Sequence, residues 1–464
     1  MTFWQPELER YPGPRYKAIA AAVAEDISGG TLQPGDRLPT HRQLAEALGV
    51  TVGTVTRGYA EAERQGLVGG RVGSGTYVLG DGDGHRVPFG IPAEAPTDGD
   101  VNFGLALPVP ARRESMLADA LRRLADDPAA LHDTLSYQPE AGLRRHRDTL
   151  RDWLADWGVA LAGDEVLLTL GGLHAVHLAL QVLARPGETV ATEALTYPGL
   201  IAAARQQHLD LQPVALDDEG MIPSALARLC EQRAVRAVYC VPNQNNPTTA
   251  CMSEERRREL AAVARRYGVF FIEDEVHLVD GSERPPNLVD LAPERVLYVT
   301  SCSKILAGGL RVGILRAPGH LVRPLEDALR SHCWMAPPLN AELACRWITS
   351  GLAREIADWQ RRAIGERQAL AADRLAGHTF RAQPYGFNLW LHLPEPWRAG
   401  SFVTACASEG VHVKSGEPFA VGHQPVPEAI RLALSAPASL DDVRRGLDVV
   451  RGLLEHGPRP PSTL

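Results

Sequence analysis

Between about residues 102 and 455, short apolar runs alternate with long helical segments, and this alternation constrains the fold more than any other feature of the chain. The runs Val166 to Leu170, Val235 to Val241, Val269 to Glu273 and Val296 to Thr300 read as buried strands. Short buried strands separated by helices predict an α/β fold with a mostly parallel central sheet covered on both faces. Near residues 375 to 440 the pattern shifts and predicts a smaller α+β portion, with strands at Gly386 to Leu393 and Ile430 to Ser435. At 464 residues the chain exceeds one ordinary core, so a second domain is expected.

That second domain lies at the amino end. Alanines, isoleucines and a valine at helical spacing predict a helix from Arg15 to Ser28, stopped by Gly29 and Gly30. Thr40 is placed to cap a second helix carrying Leu44, Ala45, Ala47 and Leu48, which Gly49 ends. Thr51 opens a third, with Val55, Tyr59 and Ala62 on one face. Two short helices joined by a tight glycine turn predict a helix-turn-helix. The segment Leu67 to Val78, with Gly73 and Gly75 near its tip, reads as a hairpin wing. Residues 1–79 are therefore expected to form a winged helix-turn-helix, residues 80–101 a Gly-, Pro- and Asp-rich linker, residues 102–455 the large domain and residues 456–464 a Pro-rich tail.

A formal net charge of −8 argues against whole-surface nucleic-acid binding, and residues 1–79 balance eight basic against eight acidic side chains. Placement matters more. Arg42 in the second helix, Arg57 in the third and Arg71 in the wing are positioned for phosphates or base edges, and Thr40, Thr51 and Thr54 add polar contacts. A helical protein-interaction module is the alternative. Seven cysteines without a close CxxC pair suggest neither a disulfide framework nor a zinc site, and no metal is expected. No apolar run reaches transmembrane length, so a cytoplasmic protein is expected.

The large domain concentrates its chemistry at strand ends. Thr300-Ser301-Cys302-Ser303-Lys304 follows an apolar strand, and Arg311 follows after a glycine pair. A lysine at a strand's carboxyl end occupies the favoured ligand position of an open α/β sheet. Its amine can form a Schiff base once its pKa is depressed, while the serines and Arg311 suit a phosphate dianion. Asp274 ends another apolar strand, where a buried carboxylate can pair with a pyridinium nitrogen. Asn246 lies in Asn245-Asn246-Pro247-Thr248, with an amide free to donate to a phenolic oxygen. Gly171 and Gly172 open a helix after a strand, a phosphate-binding arrangement, and Tyr197 offers a stacking ring.

Two resemblances follow from these residues. "GGTLQPGDRLPTHRQLAEALGV" and "RVGSGTYV" resemble the winged helix of GntR-type bacterial regulators, where the arginine at position 42, the start of the third helix and the wing glycines contact the operator. That family often has Ser-Arg where this chain has Thr51-Val52, so its operator preferences do not transfer, and Arg57 is expected to carry more of the phosphate contact. "GGLHAVHLAL", "TYPG", "NNPTT", "IEDEVH" and "SCSKILAGGLRVG" resemble, in order, fold type I pyridoxal-phosphate enzymes of the class I and II aminotransferase group. The resemblance implies Lys304 as the Schiff-base lysine, Asp274 as partner of the ring nitrogen, Asn246 as contact to O3′ and Tyr197 as stacking ring. Gly171 or Gly172, Ser301, Ser303 and Arg311 would form the phosphate cup. Tyr137 would reach a neighbouring subunit's phosphate in a homodimer, and Arg431 would hold a substrate carboxylate. His277 stands where the group commonly places a tyrosine, as in "DEIH" relatives, and Thr249 replaces a turn glycine whose positive φ threonine tolerates poorly.

Joined, the two parts resemble the MocR subgroup. The combination implies a regulator that binds double-stranded operator DNA and senses pyridoxal phosphate, or a small amino acid or amine, through an aldimine at Lys304. An aminotransferase or lyase carrying a DNA-binding head is the alternative, and an inert dimerisation scaffold a third. Whether the domain turns over substrate stays open at this point.

Overall fold

The computed structural model describes residues 4–11, 13–33, 35–64, 67–71, 75–78, 99–111, 113–161, 165–277, 284–422 and 426–457. Gly73 and the expected wing tip, positions 80–98 of the expected linker and the Pro-rich end from 458 lie outside them, as does the Arg71 side chain. The chain divides into two compact units, Met1–Pro88 and Phe89–Leu464.

In the first unit, helix α1 (Arg15–Ser28) buries Ala18, Ile19, Ala22 and Val23. Helix α2 (His41–Leu48) begins with a capping box in which Thr40 and Gln43 satisfy each other's backbone amides, and it ends at Gly49 with φ 61°. Such reciprocal capping serves donors that a helix start otherwise leaves without partners, and glycine takes the left-handed stop without strain. Helix α3 (Val52–Arg64) crosses α1 closely, since a Cβ at Gly58 would fall 2.8 Å from Ile19 Cβ. Strands β1 (Val68–Arg71) and β2 (Gly75–Val78) pair antiparallel, and Arg37 bridges to Tyr77. The buried residues Ile19, Leu44, Val55, Tyr59, Val68 and Val78 form one core, so all three helices and the wing share it.

The second unit is built on seven strands: β3 (Val166–Thr169), β4 (Thr189–Glu193), β5 (Asp210–Val214), β6 (Val235–Cys240), β7 (Phe270–Asp274), β8 (Val296–Ser301) and β9 (Gly313–Arg316). Their order across the sheet is β3-β9-β8-β7-β6-β4-β5. β9 runs antiparallel to both neighbours and the other pairings are parallel. Two buried apolar clusters cover this sheet, one containing Leu168, Val238, Phe271 and Tyr298, the other Leu167, Tyr239, Ile272 and Val299. Neighbouring residues of one strand thus serve different clusters, as the two-residue period of a sheet buried on both faces requires. The mostly parallel sheet expected from the sequence is present.

Strands β10 (Phe380–Ala382), β11 (Asn388–His392), β12 (Lys414–Ser415) and β13 (Ala429–Ala433) form an antiparallel sheet ordered β10-β11-β13-β12. The run Val269 to Glu273 is shifted by one residue, so Asp274 is the last residue of β7. Gly386, Phe387 and Leu393 lie outside β11, and Leu434 and Ser435 outside β13. Val101, placed in the linker by composition, pairs with Val411 in a short parallel bridge. Among the described residues no helix is long and apolar enough to cross a membrane.

Candidate functional site

The carboxyl ends of β3, β4, β6, β7 and β8 bring the expected residues to one place. Lys304 lies three positions past β8. Burial lowers its amine to about 8; Arg431 and Arg311 push the same way and Asp274 opposes them. Desolvation penalises the ammonium form. Its Nζ donates to the Ala106 carbonyl, and its own carbonyl accepts from Gln360 Nε2. Burial raises Asp274 to about 6, while bonds from Tyr239 and the Val276 amide and the charge of Lys304 act in the other direction. The Tyr239 hydroxyl donates to Asp274 Oδ2 at 2.6 Å and the Val276 amide to Oδ1 at 3.2 Å.

Around the start of helix α4 (Gly172–Leu183) the backbone forms a cradle. Gly171 has φ 84° and ψ 170°, a region essentially closed to residues with a Cβ. Arg311, itself at φ 51°, donates from Nη2 to the Leu170 carbonyl at 2.9 Å and from Nη1 to Ser303 Oγ at 3.4 Å. A Cβ on Gly171 would meet Arg311 Nη2 at 2.4 Å, and one on Gly172 would meet Val276 Cγ1 at 2.8 Å and Ser301 Oγ at 3.8 Å. Glycine at 171 is what lets the guanidinium approach the backbone this closely. The Ser303 amide donates to Ser301 Oγ at 3.4 Å, so both expected serines border the cradle. Tyr197 precedes Pro198 and folds its ring back over Gly199, where a Cβ would come within 2.3 Å of it.

Asn246 and Arg431, separated by 185 positions, meet directly: Arg431 Nη1 donates to Asn246 Oδ1 at 3.0 Å. Arg431 Nη2 donates to the Gly104 carbonyl, and the guanidinium lies 4.9 Å from the centre of the Phe419 ring. Burial lowers Arg431 to about 10. His277 packs on Phe387 with ring centres 4.9 Å apart. Burial, then Lys304 and Arg431, take it down to about 3, so its imidazole is neutral, and among the described residues its buried Nδ1 has no hydrogen-bond partner.

Tyr137 behaves differently. It is 81% exposed, beside Trp334 at 53% and with Leu135 at 88% nearby in sequence, and its ring centre lies 5.5 Å from that of Trp334. The phenol therefore sits on an apolar surface patch and not in the cluster of its own chain. Thr249 occupies its turn at φ 59°, with its hydroxyl buried and, among the described residues, unpartnered. Thr249→Gly is expected to raise stability by about 1 kcal/mol, the release of one left-handed threonine, read as a higher midpoint in urea.

In the first unit Arg42 and Arg57 are exposed. Thr40 is engaged in the α2 cap, and the Thr51 and Thr54 hydroxyls lie 2.9 Å apart with the Thr54 amide donating to Thr51. These threonines first serve helix starts. Arg57 Cζ lies 5.5 Å from the centre of the Tyr16 ring, which holds it against α1. Gly75 has φ 116° and makes room for Arg37, which sequence reading passed over.

Sequence reading also missed Tyr239, Gly104 and Ala106. Tyr239 pairs in register with Ile272, two residues before Asp274, so both side chains share one face; a tyrosine near a strand end was the available signal. Gly104 and Ala106 act through carbonyls, which leave no trace in side-chain chemistry.

Residues 108–450 match aminotransferase class I and II, and residues 15–78 match the gntR family of bacterial regulatory proteins. The uncharacterized HTH-type transcriptional regulator YdeF of Bacillus subtilis (strain 168) is 30% identical over 452 residues, covering 97% of this chain and 97% of that protein. The chain belongs to the MocR subgroup of GntR-type regulators. Another relative of this MocR-type chain, the uncharacterized HTH-type transcriptional regulator YdcR of Escherichia coli (strain K12), is 28% identical over 437 residues, 88% of this chain and 92% of that one. Among solved structures, LysN, an α-aminoadipate aminotransferase from Thermus thermophilus complexed with N-(5′-phosphopyridoxyl)-L-leucine, is 27% identical with a TM-score of 0.69, covering 77% of this MocR-type chain and 92% of that one.

Proposed function

We propose that this MocR-type chain is a pyridoxal-phosphate-dependent transcription regulator of the cytoplasm that binds operator DNA through its winged helix and senses pyridoxal phosphate or an amine-bearing carboxylate at Lys304. The observation that carries the reading is the depressed Lys304 amine set among Asp274, Asn246 and the glycine cradle under Arg311. The residues fit the group: Gly171 lets the Arg311 guanidinium lie directly against the start of α4, where an anion would be held, and among the described residues the buried His277 Nδ1 has no hydrogen-bond partner. Gly171, Gly172, Ser301, Ser303 and Arg311 would hold the phosphate, with the free amides of the α4 start and its dipole adding to the attraction. Asp274 would face the ring nitrogen, Asn246 and His277 the phenolic oxygen, and Tyr197 the ring face. When bound, pyridoxal phosphate supplies a carbonyl that captures amines and a ring that accepts electrons.

Arg431 is the carboxylate reader in this scheme. Its bonds to Asn246 and to the Gly104 carbonyl keep a buried cation supplied with acceptors, and an entering carboxylate would compete for them. The patch of Leu135, Tyr137 and Trp334 is where a second copy would cover exposed apolar surface, bringing Tyr137 to the partner's phosphate. Two copies carry two reading heads, and so two operator half-sites. Arg42, Arg57 and Arg71, with Thr40, Thr51, Thr54 and the wing glycines, would meet the DNA.

Titration of a promoter fragment with protein, with and without pyridoxal phosphate and a panel of amino acids, tests this. A change in the binding midpoint of about fivefold or more is expected, the lower range of coupling between two sites. Absence of specific binding, with efficient turnover of an amino acid, would favour the aminotransferase reading, for which the retained Lys304, Asp274 and Arg431 are the specific observation.

A further inference from the structure

The β7 aspartate sits in an environment that by itself works against its charge. Asp274 is buried, and the titratable groups facing it are Tyr239 from β6, Tyr197 from the turn after β4 and Lys304 after β8. Lys304 holds its proton less tightly than an ordinary lysine, so it is only a partial source of positive charge near neutral pH. Glu193, at the end of β4, faces Tyr239 and is itself raised to about 8 by burial.

Tyr239 is different in kind. Its ring belongs to the apolar cluster that includes Ile272, Leu297 and Val299, with no exposed surface. Its hydroxyl donates to Asp274 Oδ2 at 2.6 Å. Burial, followed by the nearby Asp274 and Glu193, holds its proton far more tightly than in water. It is thus a permanent neutral donor, fixed by the register of two adjacent parallel strands. A donor of this kind stabilises a carboxylate and does nothing comparable for a carboxylic acid on the same oxygen.

We infer that Tyr239 is a positioning residue that keeps Asp274 ionised as the partner of the ring nitrogen of the bound cofactor. The inference rests on reading the pocket as a pyridoxal phosphate site.

Tyr239→Phe keeps the ring and removes the donor. In cofactor-free protein Asp274 titrates at about 6 in the fold against about 3.9 in an unfolded chain. Ionising it therefore lowers stability as pH rises from the unfolded value through the folded one, after which the loss is constant. Removing the donor raises the folded value further. Below about pH 5 both folded proteins hold this proton and the deficit of Tyr239→Phe relative to wild type does not change with pH; it should grow between about pH 5.5 and about pH 7.5, across the two folded values, and then level off. It should stop growing with pH when both proteins also carry Asp274→Asn. With pyridoxal phosphate, a shift of about one pH unit makes the variant bind about threefold more weakly at pH 6.5 and nearly as wild type at pH 8.

Parallel stability curves for Tyr239→Phe and wild type, or a pH-dependent deficit that survives Asp274→Asn, would overturn the role. A deficit in the cofactor-free protein with no pH-dependent change in pyridoxal phosphate affinity would overturn the cofactor-facing part of it. Failure of the wild type to bind pyridoxal phosphate while the cofactor-free deficit persists would instead sink the reading of the pocket.

Discussion

Lys304→Ala is expected to lose the visible absorbance of protein-bound pyridoxal phosphate entirely. Borohydride treatment of the wild type should leave its adduct on the peptide containing Lys304. The mapping is unusually clean because lysine occurs only at 17, 304 and 414. An amine captures a carbonyl only when unprotonated, and an ordinary lysine at pH 7.5 is neutral in about 0.1% of molecules. With its value lowered to about 8, Lys304 is neutral in about a quarter of them at that pH. Capture should therefore speed up with rising pH and flatten above about 8, two units below where a surface lysine would flatten.

Lys414 is the internal control for this experiment. Burial and then Arg431 lower it as well, and its side chain approaches Gly104 within 3.5 Å of the position a Cβ would take. It pairs in register with Arg431 on the small sheet, whereas Lys304 follows a strand end of the large one. A depressed amine alone does not make a cofactor lysine; the cradle and Asp274 must be within reach. Labelling at Lys414 in the wild type, or visible absorbance surviving in Lys304→Ala, would refute the assignment. In operator binding, Lys304→Ala should also abolish the response to pyridoxal phosphate while leaving the cofactor-free affinity of the winged helix unchanged.

What could be read from the sequence was whatever is local along the chain. Lys304, Asp274 and the Gly171-Gly172 pair each follow an apolar run, so their place at strand ends was visible without knowing the strand order. The bond between Arg431 and Asn246 spans two sheets and 185 positions, and no pattern in either segment announces it. Tyr239 and Asp274 meet only because β6 and β7 are neighbours in one register. In the winged helix the helices were legible from spacing and caps. The mutual bond of Thr51 and Thr54 and the approach of Arg57 to Tyr16 were not, because neither contact leaves a pattern in the sequence. Boundaries of the small sheet drifted because β11 and β13 continue into apolar residues, such as Leu393 and Leu434, that are not paired as strand.

Gly171→Ala should weaken pyridoxal phosphate binding by about 100-fold or more. Two independent effects combine. At φ 84° and ψ 170° alanine carries backbone strain of about 1–3 kcal/mol. Its methyl would also stand 2.4 Å from Arg311 Nη2 and 2.7 Å from Cζ, closer than any real contact allows. The guanidinium would have to leave the Leu170 carbonyl and the mouth of the cradle, losing a charge-assisted bond to phosphate of about 1.5–3 kcal/mol. Together these come to about 2.5–6 kcal/mol, against the roughly 2.7 kcal/mol that corresponds to 100-fold. Gly309→Ala is the matched control: it lies in the same Lys304 to Arg311 segment, has no positive φ, and a Cβ there meets nothing within 4 Å. Its affinity should stay within about threefold of wild type, under 1 kcal/mol. Equal binding by wild type and Gly171→Ala would mean that Arg311 is not held over the phosphate by this glycine. The cup would then have to be built from Ser301, Ser303 and the α4 amides alone.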